Sequence, residues 1–294
     1  MIAVVLLSLI IFGMQGLRDV ITNEFTSRFK PNEVIITSTG FLDFIGGAGQ
    51  SSEGNDEEET KEPVLMTQEV VDKMETDDRV SKVSPVLMIN GMQIRLKDEK
   101  KAFSPSFAFG WDVDGNSSYF TGFEGEKTQL DSGEAFVSED IVNFYNKSND
   151  EVIGKTMVLE TAASTPLTSK TKDQIGRSYE YRIVGVIETG SDRTDGVISI
   201  EDAAVLLSTN GGFDNPEELL SEVGYDQLYV EVYKEEDVAG FKESISEDYG
   251  LQAFSADDVL EFLNLITVGI TLVLVFFGVV SAFVASIGII ILWL

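Results

Sequence analysis

The chain has 294 residues and sets 21 Lys and Arg against 50 Asp and Glu, a formal charge of −29, with no His and no Cys. That balance excludes nucleic-acid binding through a basic surface, because phosphate contacts need clustered cations. The missing His and Cys remove His-based triads, His or thiolate metal sites and a disulfide framework.

Met1 to Met14 (MIAVVLLSLIIFGM) is apolar apart from Ser8. A membrane span needs about 20 residues, so this stretch reads as the outer half of a transmembrane helix whose beginning is missing. A signal peptide is the competing reading; it lacks a basic first region and a small-x-small cleavage site before Arg18. Leu17, Val20, Ile21, Phe25 and Phe29 continue at helical spacing, as in a helix leaving the membrane. After Pro31 and Asn32, Glu33 to Ser38 (EVIITS) reads as a buried strand. Gly46 to Pro63 mixes Gly, Ser and a block of acids without apolar periodicity, which marks a loop. Calcium chelation by Asp56 to Glu59 has no turn spacing behind it, and a solvated charge run explains the same residues.

Thr67 caps a helix through Glu75 with Val70, Val71 and Met74 on one side, and Arg79 to Leu96 returns as a strand. Pro85 and Gly91 interrupt it and predict a bulge, an edge position or a hairpin bend near Asn90-Gly91. Further on, Tyr225 to Tyr233 alternates as a strand, Glu235 to Asp248 has the spacing of an amphipathic helix, and Leu251 to Phe254 is a short strand. Strand, helix, strand thus occurs twice. The pair predicts an α+β fold, a split βαβ (ferredoxin-like) domain closed by segments distant in sequence.

Between them, about Phe103 to Gly224 is strand-rich. Ala135 to Val137, Met157 to Leu159 and above all Tyr179 to Glu188 (YEYRIVGVIE) read as strands. Short helices follow Ser138 and Ser199, the latter with Asp202 in the capping-box position, and the polar Thr161 to Gly176 loop joins two strands of a hairpin. Asp112, Asp114 and Asn116 approach a calcium loop, yet glycine falls at the fourth place and Glu124 comes one place late, so an Asx-stabilised turn accounts for them. Asn116-Ser-Ser118 and Asn146-Lys-Ser148 match the glycosylation sequon. Gly211-Gly212 reads as a turn, and no phosphate-cradling glycine motif is present. Neither Ser169-Lys170 nor another Ser/Lys pair carries a recognisable hydrolase motif. No catalytic residue, cofactor or metal site is assigned.

Leu265 to Leu294 runs thirty positions without a charged side chain. At ~1.5 Å per residue such a helix reaches roughly 45 Å, enough to span a ~30 Å hydrocarbon layer. Ser255 to Asp258 reads as a capping box at its start. Gly278, Ala282 and Ser286 fall four apart, which puts small residues on one face where a second helix could pack; small residues are also common in membrane helices generally. Every Lys and Arg lies between Arg18 and Lys242, so the acidic segment between the two apolar ends faces one side of a membrane, and its charge suits the outside.

In this order the elements resemble the MacB/FtsX-type permeases of ABC transporters over nearly the whole chain. The resemblance rests on LLSLIIFGMQGLRDVITNEF passing from span to helix, on Val80 to Val86, on Gly133 to Ser138 with Ile153-Gly-Lys155, on Tyr181 to Val186, on Leu228 to Val232 and on Ala253 to Asp258. It implies a cell-membrane, multi-pass permease with a large extracytoplasmic domain, a porter-like α/β part and a smaller inserted part. Residues 1–16 would be a partial first transmembrane helix, 17–32 a stalk, 33–102 and 225–256 the porter-like part, 103–224 the insert, and 257–294 a stalk and second span. The implied partners are the membrane, a separate ABC ATPase subunit, a second copy in a homodimer and an extracytoplasmic protein, with no cofactor and no catalytic residue of its own. The other reading is a two-span membrane-anchored extracellular binding or receptor module.

Overall fold

Residues 30–38, 64–161, 177–189 and 194–293 are described by the computed structural model. The chain divides into a unit Asn32–Phe254 and a second formed by Met1–Pro31 with Ser255–Leu294. The helical readings of Met1 to Met14 and Leu17 to Phe29, the Gly46 to Pro63 loop and the body of the Thr161 to Gly176 loop lie outside the described residues.

Strand β1 (Glu33–Thr37) is buried at all five positions, as its unbroken β-branched run requires. Helix α1 (Gln68–Glu75) starts after an extended Thr67 and buries Val71 and Met74. Strand β2 (Val80–Leu96) runs for 17 residues. The hairpin alternative at Asn90-Gly91 is corrected here: the strand continues, Gly91 takes φ 71°, and the register shifts between Asn90 and Met92 as at a β-bulge. A turn leads into β3 (Phe103–Trp111), which pairs antiparallel with β2.

The next stretch holds β4 (Gly122–Gly125), β5 (Glu134–Ser138), helices α2 (Glu139–Phe144) and α3 (Asn149–Val152), β6 (Thr156–Thr161), β7 (Ser178–Glu188) and β8 (Gly196–Ile198). Strands β6 and β7 pair antiparallel from Thr156 opposite Arg182 to Glu160 opposite Ser178, the hairpin expected around the polar loop. Helix α4 (Ile200–Gly211) is N-capped by the Ser199 hydroxyl, which accepts from the Asp202 N–H, and ends on Gly212 at φ 74°. It lies so close to β3 that a side chain on Gly110 would overlap the Cβ of Ala203. Helix α5 (Pro216–Glu222) opens with Asn215 as cap and proline in its first turn.

Strand β9 (Gln227–Val232) buries Leu228, Val230 and Val232 in alternation. The helix expected from Glu235 starts as a 3₁₀ turn (Glu235–Asp237) and becomes α-helical only in α6 (Val238–Tyr249), whose Val238, Phe241 and Ile245 share a buried face. Strand β10 (Gln252–Ser255) follows.

Among the described residues ten strands form one mixed sheet in the order β10-β1-β9-β2-β3-β8-β5-β7-β4, with β6 paired to both β2 and β7. Pairings β3·β8 and β5·β7 are parallel. One core runs from Val34, Met74 and Phe241 beneath β1 and β9 to Ile183 and Leu206. A second, around Trp111, Phe136, Val184 and Val197, lies under the segment that follows β3.

Candidate functional site

Helix α7 (Ala256–Trp293) makes up most of the described part of the second unit. Its first turn carries Asp257 and Asp258, where the positive end of the helix dipole favours them. The Asp258 carboxylate accepts from the Ser255 N–H at 2.6 Å and the Ser255 hydroxyl at 2.7 Å. By length and composition Ala256–Ser281 could cross a membrane. Leu265, Leu272, Phe276, Phe277 and Phe283 are all more than half exposed, an apolar surface that water disfavours and a lipid phase accepts. Of the helix-packing candidates, Gly278 lies within this helix; the side chains at Ala282 and Ser286 lie outside the described residues.

The polar motifs singled out from sequence resolve as local structure. Asp114 Oδ1 accepts from the Asn116 N–H at 2.8 Å, an Asx turn, while Asp112 Oδ1 accepts from the N–H of Ile200 at the start of α4. Asp202 turns its carboxylate to the Ser132 hydroxyl and the Gly133 N–H, each at 2.7 Å, which fastens the approach to β5 onto α4. Around the same approach, Lys127 pairs with Asp131 and Glu134, and Arg182 with Glu126. Among the described residues no group of three His, Cys, Asp or Glu is placed to hold a metal.

A different set of residues comes together where β2 changes partners. Its Val80 to Val86 portion pairs with β9, its Val86 to Ile94 portion with β3, and Met92 to Leu96 with β6. Beside this change the Trp111 and Tyr229 rings stack at 4.9 Å and 25°, and Tyr119 meets both edge-on at 4.8 and 4.9 Å. The Tyr119 hydroxyl donates to Glu33 Oε1, and Glu33 is only 6% exposed. Burial, with the negative charge of Glu33 close by, pushes the Tyr119 phenol far above its ordinary value and keeps it a donor. None of these four stood out in the sequence. The available signal was the period-two aromatic run Phe107, Phe109, Trp111 and a Glu heading an otherwise apolar strand.

Arg79, at the entry to β2, ties that strand to α6. Its guanidinium makes paired bonds to Asp77 (2.9 and 2.6 Å), donates to Ser244 Oγ at 2.9 Å, and lies 5.3 Å from the centre of the Phe241 ring. The bond from Arg79 holds the Asp77 carboxyl below its ordinary value of 3.8. A carboxyl depressed in the folded state stabilises it above the unfolded value, and the gain is lost as pH falls through the folded value. Asp77→Asn is therefore expected to be less stable than the parent at neutral pH. The gap in urea midpoint should narrow as pH falls below 3.8, and a gap that stays constant into acid would remove Asp77 as its source.

Comparison with known proteins bears on most of the chain. A family profile described as the MacB-like periplasmic core domain matches residues 1–248. No curated protein matches. The crystal structure of the periplasmic region of MacB from Actinobacillus actinomycetemcomitans is similar in fold, with a TM-score of 0.50, 11% identity and coverage of 81% of this chain and 94% of that one. The extracellular domain of the noncanonic ABC-type transporter YknZ from Gram-positive bacteria aligns with a TM-score of 0.43, 13% identity and coverage of 76% of this chain and 100% of that one. With the profile covering most of its length, this chain belongs to the MacB-like periplasmic core domain family.

Proposed function

We propose that the chain is a permease subunit that couples ATP hydrolysis on a separate cytoplasmic ATPase to movement of the Asn32–Phe254 unit outside the cell membrane, for export or envelope work. The observation that carries this reading is α7, a helix of 38 residues, uncharged from Leu265 on, that follows directly on the last strand of the sheet. A family of periplasmic core domains on ABC permeases supplies the context. In this reading the chain is multi-pass, works as a homodimer, meets an extracytoplasmic partner protein and contributes no catalytic group. The strand order β10-β1-β9-β2, with α1 and α6 as the connecting helices, supports a split βαβ porter-like part built from residues 33–102 and 225–256. Residues 103–224 are then its insert.

A helix that transmits movement must be continuous. Asn264 is exposed within α7, one residue before the uncharged run. Asn264→Pro would remove one helical hydrogen bond and kink the helix, at a local cost of about 3 kcal/mol. The expected result is a complex that assembles and hydrolyses ATP while the ATP-dependent displacement of the outer unit falls several-fold. The displacement would be followed by energy transfer from a dye on that unit to dye-labelled lipid headgroups. An undiminished displacement per ATP would end the case for α7 as the transmitting element.

A further inference from the structure

The two parts of the Asn32–Phe254 sheet share β2 in an unusual way. On one edge β9 accompanies it only as far as Val86, opposite Gln227; on the other edge β3 begins at that same Val86, opposite Trp111. The two pairings overlap at one residue. A sheet normally resists twisting because each strand is clamped along its length by neighbours on both sides. Here a single strand crosses the junction with one doubly paired position, so the ladder of backbone pairing is thinnest there and forms a torsional joint in the sheet, above a hydrophobic core that runs on beneath it. Five residues farther on, the bulge at Gly91 adds further freedom.

The joint is crossed a second time by side chains. Trp111 comes from β3, Tyr119 from the segment after it, Tyr229 from β9 and Glu33 from β1. Their stacked and edge-on rings, together with the hydrogen bond from Tyr119 to Glu33, connect strands on both sides of Val86. Asp226 holds the backbone beside it, its N–H donating to the Val86 carbonyl at 3.0 Å and its carboxylate accepting from the Met88 N–H at 2.6 Å. Glu33 lies opposite Glu231 on β9, which in turn lies opposite Lys82 on β2, and it is only 6% exposed. What a carboxylate adds is a directional acceptor that fixes Tyr119 in one place.

We infer that this brace of Glu33, Tyr119, Trp111 and Tyr229 stiffens the joint at Val86 and carries movement of β1 and β9 into residues 103–224. The inference rests on the force-transmitting function proposed above and assigns Glu33 and Tyr119 as positioning residues for it.

The chain has no cysteine, so one introduced cysteine takes one dye. Glu247→Cys on α6 reports the β1 side and Asp150→Cys on α3 the far side; both positions are exposed. Each would be placed separately in the full chain, with a cysteine-free ATPase partner, in liposomes bearing headgroup-labelled acceptor lipid. ATP should change energy transfer from both positions in the parent. In Tyr119→Phe and Glu33→Ala the Glu247→Cys response should persist while the Asp150→Cys response falls several-fold, with circular dichroism and melting showing a folded unit. Glu33→Gln, whose amide oxygen still accepts the phenol hydrogen, should keep both responses. A full Asp150→Cys response in Tyr119→Phe and Glu33→Ala overturns the brace. If the far-side response persists in those two but Asn264→Pro abolishes both signals, only the brace fails. If the parent shows no ATP response at either position, the force-transmitting function falls and the brace with it.

Discussion

Phe136→Ala is expected to lower the unfolding free energy by about 3–5 kcal/mol, the range for removing a large buried aromatic side chain. Phe136 is fully buried on β5, between β8 and β7 in the sheet. Its ring meets Phe123 edge-on at 5.2 Å. The residue opposite it on β7 is Gly185, where a side chain would run into both the Phe123 and Phe136 rings. The two rings therefore occupy space that glycine leaves open, and after truncation glycine has no atoms with which to refill it. That places the loss toward the upper part of the range. Phe136→Leu, which keeps most of the volume, should cost less than half as much. Urea denaturation of the parent and both variants measures this, and a loss under about 1 kcal/mol for alanine would mean that the second core relaxes freely.

The second large effect belongs to the membrane. Phe276 sits near the middle of the uncharged run and is 65% exposed on α7. Placing arginine at the centre of a spanning helix costs about 3 kcal/mol on insertion scales, roughly a hundredfold in the partition between inserted and free forms. Phe276→Arg should therefore shift much of the chain from the membrane pellet to the supernatant on alkaline extraction, whereas Phe276→Leu should stay in the pellet. Equal retention of the arginine variant would show that α7 is not what holds the chain in the bilayer.

Elements with strong periodic signals were legible from sequence. Strand β1, helix α1, β7 and β9 combine β-branched runs or clear apolar spacing with cap and turn residues at their ends. Others were missed for identifiable reasons. Strand β3 contains Pro105 and Gly110, which demote a strand by propensity, yet it is held by β2 along one edge and β8 along the other. Strand β8 has three residues and exists only through tertiary pairing. Helix α5 carried a readable signal in Asn215 and Pro216, and α3 in the Ser148 to Glu151 capping box.

The joint at Val86 was not legible at all. Nothing within the β2 sequence records that its partner changes midway, because register is a property of strands that meet only in the fold. The brace gathers residues as far apart as Glu33, Trp111 and Tyr229, and no local pattern links them. The small-residue positions on α7 were legible as spacing only, since spacing does not say which face meets a neighbour.

The adjacency of β1 and β10 in the sheet has a consequence for how such a chain could arise and vary. The Asn32–Phe254 unit begins at β1 and ends at β10, neighbouring strands of five and four residues. Strands paired in this way lie about 4.8 Å apart and rise about 3.3 Å per residue, so the points of entry and exit are at most roughly 20 Å from one another. A globular body with its two ends that close can be spliced into a short connection without forcing the flanking segments apart. The Asn32–Phe254 unit is thus a cassette: it can be enlarged, trimmed or exchanged by recombination while the segments before and after it in the chain stay as they are.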